Sequence, residues 1–374
     1  MKKILIFYAS YGGGHLSAAK SIKEYIDQNY EGVQTEMIDC IEYISKALDK
    51  VTTGAYIELA KKVPWAWGKV YYKSQEGFIS KVSSTSNKIM AVKIAKLFKT
   101  YNPDIVISTH PFGSQMTAYL KKKGKTNCTL ATILTDFKSH DQWLIGSEQT
   151  NYFFVSNDAM KQSLIENNIP ENKVFSTGIP ISRRFMENFN KEEIFKEFDL
   201  QPNKKTILFF GGGELGIGKQ KTVDILDLLA SSNYDIQVIA IAGKNEKMKK
   251  AFDDIVSKYQ KQDTIKVLAF TNKVPELMQI SDLVITKPGG LTTSESLACK
   301  LPLVLINPIP GQEEENAEFL EKSGAAVWIK KNSNPEDIFK FIFENESILV
   351  KMKENTSNIA RPNSTKDICD ICLK

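Results

Sequence analysis

The sequence predicts an α/β protein with two doubly wound units, each built around its own parallel sheet. Short buried-strand patterns alternate with segments whose apolar residues recur at helical spacing, and this alternation occurs in both halves of the chain. The length of 374 residues is about that of two ordinary domains. A polar stretch at 184–203 separates the halves. We therefore expect one domain over 1–184, a second over 204–355, and a C-terminal helix within 356–374 that packs back on the first domain.

In the first half, a strand at KKILIFYAS leads through the glycines of YGGGH into a helix at LSAAKSIKEYIDQNY. Further short strands are expected at DIVISTHPF, TLATILTDF and NYFFVSN. The second half repeats this order with TILFF, GGGELGIG and KQKTVDILDLLASS, and then with the strand patterns IQVIAIAG, DLVITKPGG and LPLVLINPIP. Strands joined by helices in this order form parallel sheets.

The composition is that of a globular protein, with 42% hydrophobic and 25% charged residues. No segment approaches the roughly 18 consecutive apolar residues that a membrane-spanning helix needs. The five cysteines are few and scattered, which favours a reducing compartment, and we expect a cytoplasmic protein. The single C-x-x-C motif, Cys369 with Cys372, has no second pair and is interpreted as structural.

Positive charge is concentrated in one part of the first half. Residues 51–100 contain nine lysines and two glutamates, whereas the whole chain has a formal net charge of +5. Within this stretch, residues 61–73 interleave cationic and aromatic side chains: Lys61, Lys62, Trp65, Trp67, Lys69, Tyr71, Tyr72 and Lys73. Such a mixture is typical of a segment that docks on an anionic membrane surface. The alternatives are a buried aromatic pair with a solvated lysine face, and a nucleic-acid interface, which no recognition fold supports here.

One glycine-rich loop follows the first strand of the second half. Gly211, Gly213 and Gly216 satisfy the pattern G-x-G-x-x-G. The next strand ends without the acidic residue that holds a ribose in NAD-binding folds, and Gln220 stands where a P-loop needs Ser or Thr. The loop is therefore interpreted as a turn in which backbone N–H groups approach a phosphate. The alternative is that the glycines only permit tight turns.

A second candidate binding motif is KPGGLTTSE at 287–295. Its hydroxyl groups either cap a helix or donate hydrogen bonds to phosphate, and Glu295 is placed to accept hydrogen bonds from both hydroxyls of a ribose. After the next strand, GQEEENA at 311–317 brings together amide and carboxylate groups that suit sugar hydroxyls. The alternatives are an ordinary capped helix and a solvated acidic helix start.

Together these motifs resemble a known family. TKPGGLTTSE, followed by PGQEEENAEFLEKSGAA, resembles the nucleotide-sugar half of inverting GT-B glycosyltransferases. YGGGHLSAAKSI, STHPF, TDFKSHDQW and GIPI resemble the branch of glycosyltransferase family 28 that contains the monogalactosyldiacylglycerol synthases and the processive diacylglycerol β-glucosyltransferases. The resemblance covers nearly the whole chain. It implies a GT-B fold, in which two doubly wound Rossmann-like domains face each other across a cleft.

The resemblance implies a donor site in the second domain. Glycines would lie against the diphosphate, Glu295 would hold the ribose, and Phe270 with Thr271 would frame the uracil. The full set of implied donor-binding residues is Gly212, Gly213, Phe270, Thr271, Gly289, Gly290, Thr292, Glu295, Gln312, Glu313 and Asn316. Some relatives carry Ser in place of Gly213, so phosphate binding here would depend more on backbone N–H groups.

The resemblance also implies acid–base chemistry in the first domain. His15, at a predicted helix start, and Asp136, at the end of a predicted strand, are both candidates for the general base. The helix dipole is expected to lower the pKa of the His15 imidazole and keep it neutral near pH 7. Gly14, His110 and His140 are implied on the acceptor side of the same domain.

The expected function is transfer of glucose or galactose, with inversion, from a UDP-sugar to diacylglycerol at the inner face of the cell membrane. An Asp-x-Asp motif at a strand end is missing, so we expect no metal, and we expect no other cofactor. We also expect no nucleic-acid partner, since no recognition fold accompanies the basic segment. The alternatives are a polyprenyl-diphosphate-linked acceptor, a UDP-GlcNAc 2-epimerase-like enzyme, and a non-catalytic UDP-sugar sensor. The presence of both His15 and Asp136 argues against the sensor.

Overall fold

The two halves of the chain form two compact units. The computed structural model describes residues 1–10, 13–44, 94–212 and 219–374. Unit 1 consists of Met1–Arg183, Pro310–Gln312 and Arg361–Lys374, and unit 2 consists of Arg184–Ile309 and Glu313–Ala360. In the described ranges each unit contains one six-stranded parallel sheet. The predicted α/β class with two parallel sheets is confirmed.

The sheet of unit 1 has the strand order β2-β1-β3-β4-β5-β6. Its strands are β1 (Lys2–Tyr8), β2 (Val33–Asp39), β3 (Ile105–Ser108), β4 (Thr129–Ile133), β5 (Tyr152–Phe154) and β6 (Val174–Phe175). The helices that the structure describes before residue 183 are α1 (Gly14–Asn29), α2 (Cys40–Ile44), α3 (described over 94–101), α4 (Pro111–Lys122) and α5 (Asp158–Glu166). Short 3₁₀ turns lie at Asp141–Trp143, Ser147–Gln149 and Glu171–Lys173.

Alternate residues of β1 pack against opposite helix layers. Ile4 and Ile6 belong to an apolar cluster that includes the buried face of α1. Leu5 and Phe7 belong to a second cluster that includes residues of α3 and α4. Because successive side chains of a strand point to opposite faces, a strand covered by helices on both sides is apolar throughout. This explains the continuous apolar run ILIF that opens the chain.

Unit 2 has the strand order β12-β11-β10-β7-β8-β9. Its strands are β7 (Lys205–Phe210), β8 (Ile236–Ile241), β9 (Ile265–Leu268), β10 (Leu283–Thr286), β11 (Leu303–Leu305) and β12 (Ala326–Trp328). A 3₁₀ turn at Arg183–Met186 precedes α6 (Lys191–Glu197). The helices that follow are α7 (Lys219–Ser231), α8 (Glu246–Lys258), α9 (Val274–Ile280), α10 (Gly290–Ala298), α11 (Gln312–Lys322), α12 (Pro335–Glu344) and α13 (Glu346–Ile359).

Each sheet has one position at which the strand order reverses. In unit 1 the chain proceeds outward from β1 to β2 and then returns to place β3 on the other side of β1. In unit 2 the same reversal occurs between β7 and β10. Ligands of open α/β sheets bind beyond the carboxyl ends of the strands at such a switch point. A ligand site is therefore expected at the loops after β1 and β3 in unit 1, and at the loops after β7 and β10 in unit 2.

The last helix, α14 (Ser364–Leu373), belongs to unit 1. Cys369 and Cys372 are buried in the apolar cluster that also contains Ile4 and Ile6. Burial raises the pKa of the Cys372 thiol to about 12, so this thiol remains protonated at neutral pH. Both cysteines act as small apolar residues, which is the structural role that the sequence indicated.

Gly113 permits the close approach of α4 to the sheet of unit 1. A Cβ atom there would lie 2.4 Å from Ser108 Oγ and 2.6 Å from Phe7 Cβ. We expect Gly113→Ala to lower the free energy of unfolding by about 1–3 kcal/mol, because the helix must move away from the strand. Lys122→Ala, an exposed change in the same helix, should change it by less than about 0.5 kcal/mol. Urea denaturation of both variants measures the difference, and equal midpoints would contradict the tight contact.

Candidate active site

The candidate acid–base groups of unit 1 lie beyond the carboxyl ends of β1, β3 and β4. His15 is the second residue of α1, after the N-cap residue Gly13, whose left-handed backbone has φ 76°. His110 is the N-cap residue of α4. Asp136 was expected at the end of a strand, but β4 ends at Ile133 and Asp136 lies in the loop that follows. Gly14, implied on the acceptor side, is the first residue of α1.

The orientation of the His15 ring is fixed by hydrogen bonds from its Nδ1 atom. His15 Nδ1 lies 2.6 Å from the carbonyl oxygen of Thr109 and 3.1 Å from Thr135 Oγ1. A carbonyl oxygen only accepts, so Nδ1 is the atom that carries the proton in the neutral ring. The hydroxyl of Thr109 also donates to the His15 carbonyl oxygen at 2.9 Å. The lone pair of the neutral imidazole is therefore on Nε2.

Burial keeps this imidazole neutral. Loss of solvation lowers the pKa of His15 to about 4, although the hydrogen bond to the Thr109 carbonyl acts in the opposite direction. The sequence predicted a neutral His15 from the helix dipole, whereas desolvation is the largest cause in the structure. At pH 7 the ring is able to accept a proton on Nε2.

His110 supports the His15 ring and caps a helix. Its Nδ1 accepts a hydrogen bond from the Phe112 backbone N–H at 3.2 Å. Its ring meets the His15 ring edge-on, with centroids 4.7 Å apart. Burial, followed by the charges of His15 and His140, lowers the pKa of His110 well below its usual value. These contacts give His110 a positioning role beside His15.

Gln312 joins Asp136 and His140 within unit 1. Its Nε2 atom donates to Asp136 Oδ2 at 3.2 Å and lies 3.0 Å from His140 Nε2. Burial, together with the charge of His15, lowers the pKa of His140 to about 4, so this imidazole is neutral and its Nε2 accepts from the amide. The resemblance implied Gln312 only on the donor side. The motifs did not predict its contacts with Asp136 and His140.

Two glycine turns lie side by side in unit 2, after the paired strands β7 and β10. Gly212 has a left-handed backbone with φ 94°. Gly289 is the N-cap residue of α10, and Gly290 is its first residue. A Cβ atom on Gly289 would meet no heavy atom of the described residues within 4 Å, so the space beside this glycine is open on the side of its Cβ position. The turns place backbone N–H groups where an anion is favoured.

The hydroxyl groups of α10 do not cap the helix, which was one of the two roles considered for them. Ser294 Oγ donates back to the Gly290 carbonyl oxygen at 2.9 Å, inside the helix. Thr293 is fully buried, and Thr292 is half-buried near the N-terminus of the helix. The helix therefore begins at a glycine N-cap, which costs little because glycine is tolerated at that position.

Glu295 is a half-buried residue on α10 whose carboxyl group is desolvated. Burial raises its pKa to about 8, so the group is protonated at neutral pH in the absence of a ligand. A protonated carboxyl group has one donor and remaining acceptor capacity, which matches a pair of ribose hydroxyls. The neighbouring Cys299 thiol has its pKa raised to about 12 by burial and by the charge of Glu295.

Phe270 and Thr271 follow β9 in an exposed loop. Phe270 is 65% exposed, and the Lys244 Nζ atom lies 5.5 Å from the centroid of its ring. Thr271 Oγ1 accepts a hydrogen bond from the Lys273 backbone N–H at 3.1 Å, which shapes the turn. An exposed aromatic face at the carboxyl edge of a parallel sheet is suited to stacking on a base.

The first residues of α11 are half-buried and the next are buried, whereas the alternative was a solvated acidic helix start. Asn316 is fully buried, and its Nδ2 donates to the Pro288 carbonyl oxygen at 3.0 Å, so it braces the turn before α10. Glu313 Oε2 accepts from the Ile309 backbone N–H at 2.6 Å. Burial raises the pKa of Glu313, while the charge of Lys287 opposes that shift.

The sequence analysis placed Lys287 in the motif KPGGLTTSE but gave it no role of its own. This residue directly follows β10, and its Cε atom lies 3.6 Å from the position that a Cβ on Gly212 would occupy. Burial lowers the pKa of Lys287, and the charge of Glu313 opposes the change. The signal in the sequence that could have drawn attention to Lys287 is its place directly before PGG, in the same motif as Gly289 and Gly290.

Several predicted residues lie outside the described residues. They are Gly213 and the whole proposed membrane segment, Lys61, Lys62, Trp65, Trp67, Lys69, Tyr71, Tyr72 and Lys73. Within the described ranges, no helix has both the length and the apolar composition required to cross a membrane. The same part of the chain contains no group of three or more His, Cys, Asp or Glu side chains arranged to hold a metal ion.

Two family models match the chain, one to each half. The model of monogalactosyldiacylglycerol (MGDG) synthase matches residues 15–181, and the glycosyltransferase family 28 C-terminal domain matches residues 206–368. A processive diacylglycerol beta-glucosyltransferase from Bacillus cytotoxicus is 31% identical, covering 100% of this chain and 93% of the relative. The protein of the same name from Bacillus cereus (strain AH187) is 30% identical, covering 99% and 93%.

Solved structures share the fold at low sequence identity. Acinetobacter baumannii MurG has a TM-score of 0.65 and 13% identity, covering 99% of this chain and 98% of that one. The UDP-GlcNAc 2-epimerase from Neisseria meningitidis, bound to UDP-GlcNAc, has a TM-score of 0.65 and 16% identity, with 100% of both chains covered. These likenesses establish the GT-B fold class.

The two doubly wound units and the matched domains define a glycosyltransferase that uses a UDP-sugar donor. The family follows from the full-length identity of 31%. The chain belongs to the processive diacylglycerol β-glucosyltransferase family, so the predicted family is confirmed.

Glu295 provides a direct test of the donor site. We expect Glu295→Ala to weaken UDP binding by about ten- to hundredfold, because the hydrogen bond to a ribose hydroxyl that the resemblance implies would be lost. Glu295→Gln should stay within about threefold of wild type, because an amide has the donor and acceptor pattern of the protonated carboxyl group. Titration calorimetry with UDP measures both constants. An unchanged dissociation constant for the folded alanine variant would remove Glu295 from the site.

Proposed function

We propose that this enzyme transfers a hexose from a UDP-sugar to diacylglycerol with inversion at the anomeric carbon, which gives a β-linked glycolipid. The acceptor is supported by the names of the relatives and of the matching synthase model. The mechanism rests on one observation, the hydrogen bond of 2.6 Å between His15 Nδ1 and the Thr109 carbonyl oxygen. This bond leaves the lone pair of His15 on Nε2.

In the proposed reaction, His15 Nε2 accepts the proton of the acceptor hydroxyl while that oxygen attacks the anomeric carbon. The bond between the anomeric carbon and the diphosphate oxygen breaks, and UDP leaves with the electron pair. Positive charge develops on the imidazole, and Asp136 is proposed to stabilise it, because its neighbour Thr135 contacts the His15 ring. Asp136 is the alternative base if His15 proves dispensable.

We propose that the donor binds to unit 2 without a metal ion. The glycine turns at Gly212 and Gly289 provide backbone N–H groups for the diphosphate, and the N-terminus of α10 adds a favourable dipole. Glu295 is proposed to bind the ribose and Phe270 to stack on the uracil. Glu313, at the start of α11, is proposed to reach the sugar.

Glucose is the proposed sugar, because the relatives at about 30% identity are named glucosyltransferases.

We expect the enzyme with diacylglycerol vesicles to convert radiolabelled UDP-glucose into a glycolipid, at the same rate with and without EDTA. UDP-galactose and a polyprenyl-diphosphate-linked acceptor are the comparison substrates, and lipid chromatography identifies the product. Loss of activity in EDTA, restored by Mg²⁺, would contradict metal independence. UDP-GlcNAc epimerisation without lipid product would favour the epimerase alternative.

The base assignment is tested with His15→Asn. The asparagine amide can keep a hydrogen bond to the Thr109 carbonyl, but it has no basic nitrogen. We expect turnover to fall by about 10²–10⁴, the contribution of a positioned acid–base group, while UDP affinity stays within about threefold. In wild type, kcat/KM should decline as the pH falls through the pKa of about 4, because protonated His15 cannot act as a base. Wild-type turnover in the variant would transfer the role to Asp136.

We propose that residues 61–73 dock the enzyme on the anionic inner face of the membrane. Each lysine near anionic lipid contributes about 1 kcal/mol of binding free energy, which salt screens, whereas the aromatic rings contribute binding free energy that salt does not screen.

Changing Lys61, Lys62, Lys69 and Lys73 to Gln should therefore abolish vesicle binding at low anionic-lipid content. Trp65→Ser with Trp67→Ser should weaken binding at every salt concentration. Co-sedimentation across a salt series measures both, and wild-type sedimentation of both variants would rule this segment out.

A further inference from the structure

The β4 loop, residues 134–140, follows β4 and carries the groups that are proposed to serve His15. Thr135 Oγ1 lies 3.1 Å from His15 Nδ1. Asp136, the next residue, accepts a hydrogen bond from Gln312 Nε2 at 3.2 Å. Both contacts are made by side chains of the loop, so they keep their geometry only if the loop backbone is itself held in place.

Asn157 holds the backbone of the β4 loop. Its Nδ2 donates to the Phe137 carbonyl oxygen at 3.0 Å and to Ser156 Oγ at 2.9 Å. Its Oδ1 accepts from the Met160 backbone N–H at 2.9 Å, as the N-cap of α5. Asn157 is only 7% exposed, so a rotated amide would leave buried polar atoms without partners. The amide therefore has one stable orientation, in which it joins the loop to the start of α5.

The cap of α5 does not by itself require asparagine. An N-cap needs an oxygen that accepts from a backbone N–H, and Asp or Ser provides it as well as Asn. Asn334 caps α12 in this way, accepting from the Glu336 backbone N–H at 3.2 Å, while its Nδ2 donates to Asp337 of the same helix. The Nδ2 of Asn157 instead reaches a carbonyl group 20 residues earlier in the chain. This donor is the feature that capping does not explain.

We propose that Asn157 is a positioning residue for the reaction, because its amide fixes the carbonyl group of the residue that directly follows Asp136. The inference rests on the proposed function, in which His15 takes the proton of the acceptor hydroxyl and Asp136 stabilises the imidazolium. Release of the Phe137 carbonyl would let Thr135 and Asp136 shift relative to His15, and a small misplacement of such groups slows the chemical step. The proposed diphosphate, ribose and uracil contacts are in unit 2, whereas Asn157 and the β4 loop are in unit 1. UDP binding should therefore not depend on Asn157.

Asn157→Asp tests the Nδ2 donor apart from the cap. Aspartate is an equally good N-cap, but its carboxylate cannot donate to the Phe137 carbonyl. We expect kcat for glycolipid formation from UDP-glucose and diacylglycerol vesicles to fall by about five- to fiftyfold, while the UDP affinity measured by calorimetry stays within about twofold of wild type. Asn157→Ser also retains a cap oxygen and lacks Nδ2, so it should show the same loss of kcat.

Variants that lose a cap separate positioning from stability. Asn157→Ala should have the kcat of Asn157→Asp but melt at a lower temperature, because it also loses the cap. Asn334→Ala loses a cap of the same kind in unit 2, so it should melt below wild type with unchanged kcat. The inference is overturned if Asn157→Asp and Asn157→Ser have wild-type kcat, or if kcat falls in proportion to melting temperature across all four variants.

Histidine NMR spectra test the position of the loop without any acceptor. The chain contains three histidines; His15 contacts the β4 loop, and His140 belongs to it. In enzyme with isotopically labelled histidine, Asn157→Asp should shift the imidazole signals of both, whereas Asn334→Ala should shift neither, and His15→Asn assigns the His15 signal. Unchanged His15 and His140 signals in Asn157→Asp would overturn the inference. If wild-type enzyme makes no glycolipid, the proposed acceptor is wrong, and the spectra still decide whether Asn157 positions the loop.

Discussion

The candidate sites of unit 1 and unit 2 depend on the same constraint. In each unit, the strands of a parallel sheet all end at the same edge. At the point where the strand order reverses, the loops after two neighbouring strands diverge and leave room for a ligand. In unit 1 this brings the start of α1 beside the start of α4, and His15 against His110. In unit 2 it brings Gly212 beside Lys287. Neither pair is close in sequence, and each becomes close because its two strands are hydrogen-bonded neighbours.

Burial then decides the charge state of the groups at these edges. His15 and His140 have pKa values lowered to about 4, and Glu295 has a pKa raised to about 8, so all three are neutral near pH 7. Neutral imidazole is the form that accepts a proton, and neutral carboxyl is the form that both donates and accepts hydrogen bonds. Burial also lowers the pKa of Lys287 and raises that of Glu313, and the charge of each group opposes the shift of the other. Desolvation is thus the largest cause of the pKa shift in each of these five groups.

The sequence predicted the fold and the local motifs well, because the information was local. The glycine turns, the helix start at His15 and the C-terminal cysteines are each read from a few consecutive residues. The contacts of Gln312 with Asp136 and His140 could not be predicted in that way, because they join segments far apart in the chain. Lys287 belongs to the candidate motif KPGGLTTSE, but its closeness to Gly212 could not be predicted in that way either, because the two residues are far apart in the chain. The membrane segment stays a prediction.

The general base of the proposed mechanism, His15, has a pKa of about 4 and is therefore weak, so that mechanism needs a second group. The value belongs to a ring without substrate, where desolvation opposes any positive charge. Proton transfer becomes favourable only if negative charge is close to the ring when the imidazolium forms. Asp136 is suited to this role because it is held by Gln312, while its neighbour Thr135 contacts His15 Nδ1. In the proposed mechanism the two residues have different roles, His15 as the base and Asp136 as the carboxylate that stabilises the imidazolium, and Asp136 is the alternative base.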